Sequence, residues 1–409
     1  MHLLTAAIYR HAAAADALSD ESLVAAMIKV EASLARAQEA HGLVPKGTAD
    51  AIARAAIKGD TLAAGVASAG VPVPAFLAEL RPQIGAAADH VHYGATSQDI
   101  IDTALCLCFR TALDGAARQL AELIDTLEDQ TKAHPSLPML GRTRGQYATP
   151  ISFALRVANW AAPLIDAERA LPSVRHRALK VQMGGSAGSS YAMHPHGPAI
   201  SSAMAEELGL TDALPWHADR AGFNELAAWL TRVVTALAKM AKDLAIAARS
   251  EVGEMRAGQG GGSSTMPHKS NPVTTEALLA CHPVALAAQA GLSAAAAHAE
   301  ERDGAGWAVE WLLLPQLLEV TAAALGHAQT LAATLEPRPD AMAAAVKDTP
   351  AAMAEALVFA LATNLGRVEA TARVKAALAG GDAIDAELPT ASALAQIADE
   401  AAARIFATR

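Results

Sequence analysis

From Glu225 onward, apolar residues return at alternating steps of four and three, as Leu226, Leu230, Val233, Leu237, Met240 and Leu244. That is the seam of a long helix packed against other helices. The stretches 101–123, 155–171, 276–299 and 312–335 have the length and apolar content to act as its partners, so the pattern predicts a bundle of long helices joined by short loops. Nearer the start, Ser19 or Asp20 can cap a helix that carries Leu23, Met27, Val30 and Leu34 on one face and stops at Gly42 and Pro45. Runs of β-branched residues with period-two alternation are hard to find. The expected fold class is therefore all-α, a long-helix core with smaller helical lobes at both ends. The lobes are placed at 1–89, 90–336 and 337–409. The last boundary rests on Pro337 and Pro339, the first on a change from proline-punctuated short helices to long ones.

Composition narrows the function classes. The 409 residues are 52% hydrophobic and 18% charged, with a net charge of -10. Such a chain is no solvated disordered polymer, and its length suggests two or three lobes. An acidic balance without a basic run argues against a nucleic-acid partner. Cys106, Cys108 and Cys281 are too few and too badly spaced for a disulfide framework or a four-ligand zinc site. Met1 to Ala15 lacks the pattern of a secretory signal, so a cytoplasmic location is expected. The stretch 277–297 has no Asp, Glu, Lys or Arg over a membrane-spanning length. It is alanine-rich and contains His282, Pro283 and Gln289, which fits a helix buried in a bundle better than a membrane span.

Chemistry then has to sit in the loops. Four glycines in the five residues 258–262 precede Ser263-Ser264-Thr265-Met266-Pro267-His268-Lys269-Ser270-Asn271-Pro272. A mobile arm thus carries a head of hydroxyls, an imidazole, an ammonium and an amide, suited to holding and deprotonating an organic acid. A plain Gly/Ser linker is the competing possibility. In His92-Tyr93-Gly94-Ala95-Thr96-Ser97-Gln98-Asp99, Thr96 can cap the following helix and Asp99 can complete a capping box. The first-turn amides could then bind a carboxylate, or the two hydroxyls could simply cap. Gly141-Arg142-Thr143-Arg144-Gly145-Gln146 is a glycine-flanked polar turn between helical stretches. Its two guanidiniums could clamp an anion or pair with neighbouring carboxylates. Gln182 to Gly188 is glycine-rich, but no strand precedes it, so a tight turn lining a cavity is a better reading than a dinucleotide site.

In the same chain order, 94–99, 141–146 and 262–272 resemble the three signature regions of the fumarase/aspartase superfamily, most closely its 3-carboxy-cis,cis-muconate cycloisomerase branch. The resemblance covers about residues 90 to 320. It implies an all-helical homotetramer whose active sites each combine the three loops from three subunits, without metal or cofactor. It also implies that Ser263 is the base and that Lys269 and Asn271 hold a substrate carboxylate. Such enzymes move a proton at a carbon next to a carboxylate, through an aci-carboxylate dianion. Thr96, Ser97, Arg142, Thr143, Arg144 and Gln146 then count as substrate-binding donors. His92 and His217 are either helpers or structural hydrogen-bonders.

The branch is read from a departure. Where fumarases and adenylosuccinate lyases carry a histidine that helps protonate the departing group, this sequence has Arg144. Arginine, with a pKa above about 12, is no proton donor near neutrality. The leaving group must therefore need no proton. A carboxylate, with a pKa of about 4, meets that condition, whereas an amine or hydroxide does not. Glu276 matches the position whose glutamate pairs with that histidine in the relatives, so an Arg144–Glu276 ion pair is expected. Glu301-Arg302-Asp303 is followed by Trp307 and Trp311 rather than the paired serines that bind a nucleotide phosphate. A small tricarboxylate substrate is expected, closed from 3-carboxymuconate to 4-carboxymuconolactone in aromatic-acid breakdown. Adenylosuccinate lyase, another superfamily lyase and a catalytically silent member are the alternatives.

Overall fold

The structure, a computed structural model, describes residues 3–59, 62–258, 260–262, 266, 269–380 and 390–409. Five long helices dominate it: Ser97–Ala133, Phe153–Ala178, Ala221–Ala247, Val273–Ala295 and Gly304–Ala333. Each overlaps one of the expected bundle segments, although 276–299 and 312–335 run past the ends of their helices at Ala295 and Ala333. All six seam residues of Ala221–Ala247 are buried, as apolar side chains repeating every three to four residues require. Ser19 caps the Asp20–Ala40 helix by accepting the Ser22 amide, and Gly42 follows in a left-handed conformation.

The described residues form two compact units. One comprises Met1–Arg118, Ala170–Val234 and Cys281–Ala323; the other comprises Gln119–Arg169, Thr235–Ala280 and Ala324–Arg409. The first has Met27, Phe76, Phe109, Met204 and Phe223 in its core. Phe223 meets Phe109 and Trp216 edge-on at 5.6 and 5.2 Å. Here Arg220 is fully buried between Asp102 and Glu310 and stacks on Trp216 and Phe223.

In the second unit, strands Pro138–Thr143 and Gln146–Ser152 form an antiparallel hairpin, with Arg142 opposite Tyr147 and Thr143 opposite Gln146. The 141–146 turn is therefore the tip of a β-hairpin, not a link between helices alone. Tyr147, Thr149 and Ile151 alternate with smaller residues, a short period-two run hidden in a helical sequence. Arg144 and Gly145 both have positive φ, 52° and 77°, as a two-residue primed turn requires. The Ala391–Phe406 helix packs on this hairpin, with Ala402 against Ala154 and Ala158.

Val273–Ala295 and Gly304–Ala333 are long and apolar enough to cross a membrane by length and composition. Leu278, Ala285, Leu314, Leu317 and Leu325 are nonetheless buried against protein.

Candidate active site

The first loop is built on Asp99. Its carboxylate, fully buried at the start of the Ser97–Ala133 helix, accepts the amides of Thr96 at 2.9 Å, Gly184 at 3.0 Å and Gly185 at 2.9 Å. It also binds Nε2 of His217 at 2.8 Å. The Thr96 amide bond is the acidic half of the expected capping box. One carboxylate thereby pins two loops of the first unit together, 94–97 and 182–188. Close approach demands glycine: a Cβ on Gly184 would lie 2.9 Å from both the His217 ring and the Gly188 backbone. Gln98 extends the lattice, donating to the His217 carbonyl at 3.0 Å and accepting from Arg302, which also holds the Ser186 carbonyl. Thr96 and Ser97 are left half-buried on this turn.

Both histidines take structural partners. His217 is 4% exposed and bound to Asp99, so it positions the loop. His92, at φ 63°, binds the buried Glu31 at 2.6 Å through Nδ1. Burial would lower its pKa, but the hydrogen bond and charge of Glu31, with Asp99 behind it, raise it above the ordinary 6.5. Stability contributed by protonated His92 is therefore complete below the ordinary value and lost as pH rises through the raised one. Unfolding curves of wild type and Glu31→Gln are expected to differ at about pH 6 and to converge towards about pH 8.5. A gap as wide at the higher pH contradicts this role.

In the second unit, the hairpin tip borders a cavity of about 810 Å³, lined by Arg142, Thr143, Gln146, Arg156, Asn159 and Lys239 among others. The two arginines expected to form one clamp have separate surroundings. Arg142 forks onto buried Glu254 with two bonds of 2.7 Å and lies 5.0 Å over the Tyr147 ring. Two of its five N–H donors are thereby engaged, and the Glu254 bond raises its pKa. Arg144 is exposed at the turn. The expected Arg144–Glu276 ion pair is not made within the chain: no pair of either residue occurs among the described residues, and Glu276 is exposed in the first turn of Val273–Ala295. A two-residue primed turn fixes Arg144 at the hairpin tip, where Glu254 is paired with Arg142 instead.

The third loop has a stem. Gly261–Gly262 pairs antiparallel with Ser270–Asn271, closing the arm into a small hairpin. A Cβ on Gly260 would overlap the Ser270 hydroxyl at 1.7 Å, so glycine there answers a steric demand as well as mobility. Lys269 is exposed and Asn271 half-buried. Ser263, the expected base, lies outside the described residues.

Burial pushes the thiol of Cys106 up to about 12 and those of Cys108 and Cys281 to about 11, which removes them as nucleophiles at neutral pH. Among the described residues, no group of three His, Cys, Asp or Glu side chains is placed to hold a metal ion.

Comparison with known proteins gives this geometry its family. A profile described as lyase matches residues 5–285. The chain belongs to this lyase family. The lyase is 35% identical over 394 residues to a 3-carboxy-cis,cis-muconate cycloisomerase of Bradyrhizobium diazoefficiens, covering 91% of this chain and 86% of the relative. It is also 35% identical over 378 residues to a nitrosuccinate lyase of Streptomyces davaonensis, covering 87% and 79%. The crystal structure of the 3-carboxy-cis,cis-muconate lactonizing enzyme from Pseudomonas putida matches it with a TM-score of 0.90 at 31% identity, over 99% of this chain and 98% of that one. The fold is thus that of the fumarase/aspartase-type lyases.

Sequence reasoning named Asp99 but missed two other carboxylates, Glu31 and Glu254. Glu31 did leave a signal, lying four residues after Met27 on the apolar face of its helix, where an unpaired carboxylate is costly. Glu254 had none, because its partner is 112 residues away.

Proposed function

We propose that this lyase is a cycloisomerase that closes 3-carboxy-cis,cis-muconate to 4-carboxymuconolactone in the breakdown of aromatic acids. The observation that carries the proposal is the residue at the hairpin tip. The tip presents Arg144, and no histidine lines the adjoining cavity among the described residues. A reaction in which the oxygen that adds or departs is a carboxylate needs no proton there. Ser263 transfers the proton at the carbon next to a carboxylate, Lys269 and Asn271 hold that carboxylate, and Thr96 and Ser97 donate to the charge that develops. No cofactor is needed.

The site is shared within a homotetramer in this proposal. Support comes from the exposure of Lys269, Arg144 and Glu276 in the single chain, and from exposed Val284, Leu286 and Leu312 on the long apolar helices. The Arg144–Glu276 pair is then one between subunits. A cytoplasmic enzyme without membrane or nucleic-acid partners completes the picture.

Similarity to the nitrosuccinate lyase supports a second reading, a lyase that acts on nitrosuccinate. Proton NMR of purified protein with 3-carboxymuconate decides: the lactone should appear as the sole product, and an unchanged substrate spectrum would overturn the proposal.

A further inference from the structure

The cavity beside the hairpin holds a cation that its own carboxylates leave unmatched. Arg142 is bound to Glu254, and Lys239 to Asp243, which the Trp160 indole also holds at 2.7 Å. Arg249 and Glu251, also in the lining, are exposed. Arg156, on the Phe153–Ala178 helix, is half-buried in the lining and has no hydrogen bond or ion pair among the described residues. Burial weighs against its charge, and Asp243 only partly offsets this. Arginine nevertheless remains charged at neutral pH. A half-buried guanidinium without an anion is unfavourable, and its planar fork matches a carboxylate. Asn159, one turn further along the same helix, and Gln146 add neutral donors to the lining.

We infer that Arg156 binds the third carboxylate of a tricarboxylate substrate and so sets specificity against dicarboxylates. In the proposed reaction Lys269 with Asn271 holds one carboxylate and the Thr96–Ser97 turn donates to another; a third needs its own cation. This deepens the cycloisomerase proposal and rests on it for the identity of the substrate.

The test uses the full chain with tricarballylate and glutarate, three- and two-carboxylate probes of similar length. By calorimetry, wild type should prefer tricarballylate by about 10-fold or more, as a charged hydrogen-bonded contact warrants. Arg156→Gln should erase the preference and Arg156→Lys keep part of it. Should the glutamine variant misfold, wild type still answers: tricarballylate, and not glutarate, should shield Arg156 from phenylglyoxal. A preference that survives in Arg156→Gln, its absence from wild type, or a lack of shielding overturns the inference. If Arg156 governs binding yet wild type leaves 3-carboxymuconate unchanged, the subsite stands and the proposed reaction fails. If the lactone forms and Arg156 is irrelevant to binding, the reverse holds.

Discussion

Ser263→Ala is expected to lower kcat by about 10²- to 10⁴-fold, the usual yield of a positioned proton-transfer group, while thermal unfolding stays at the wild-type temperature. A serine is a weak base in water, so in the proposed reaction Ser263 needs surroundings that exclude solvent. The antiparallel pairing of Gly261–Gly262 with Ser270–Asn271 flanks the segment that carries Ser263. Full turnover in the variant would remove Ser263 from the reaction. A parallel fall in kcat and in unfolding temperature would make it structural.

The second large effect is on stability. Arg220→Met is expected to cost about 3–5 kcal/mol, because it strands Asp102 and Glu310 in the core. Arg220 donates to Asp102 at 2.7 Å and to Glu310 at 2.9 Å with no exposed side-chain surface. Glu310 is pushed up by burial and held back by Arg220. Without the arginine, burial acts alone and raises its folded-state pKa further. A carboxyl whose folded pKa is raised favours folding at low pH and opposes it as pH climbs through that value. Urea unfolding should therefore show a greater loss at about pH 8 than at about pH 5.5. Adding Asp102→Asn and Glu310→Gln should restore most of the stability and flatten the pH dependence. A loss below about 1 kcal/mol, the scale of an exposed pair, would contradict the buried triad.

Much of the architecture was legible because long helices leave a long periodic record. Six seam residues between Leu226 and Leu244 all proved buried, and the Ser19 cap fell where a hydroxyl precedes an apolar stripe. The hairpin was not legible: its period-two run from Tyr147 to Ile151 is too short to stand out between two helices. The limits of the compact units left no mark either. They fall at residues 118, 169, 234, 280 and 323, each inside an uninterrupted helix, where no proline or glycine is needed.

For the site, loop composition singled out the turns around Thr96, Arg142 and Lys269, and these residues lie in loops or hairpin strands. What composition could not give was pairing. Arg142 and Arg144 look equivalent in sequence, yet only Arg142 finds a buried carboxylate. His217 and Asp99 are 118 residues apart and meet at 2.8 Å; nothing local to either announces the other.

In the proposed reaction the leaving oxygen already carries its charge, so no imidazole is needed at the hairpin tip that Arg144 occupies. The most direct measurement follows ultraviolet absorbance of purified protein with 3-carboxymuconate and, side by side, with adenylosuccinate, whose amine must be protonated to depart. Steady loss of the conjugated diene with the first and a flat trace with the second is the expected result. Turnover of adenylosuccinate would contradict it.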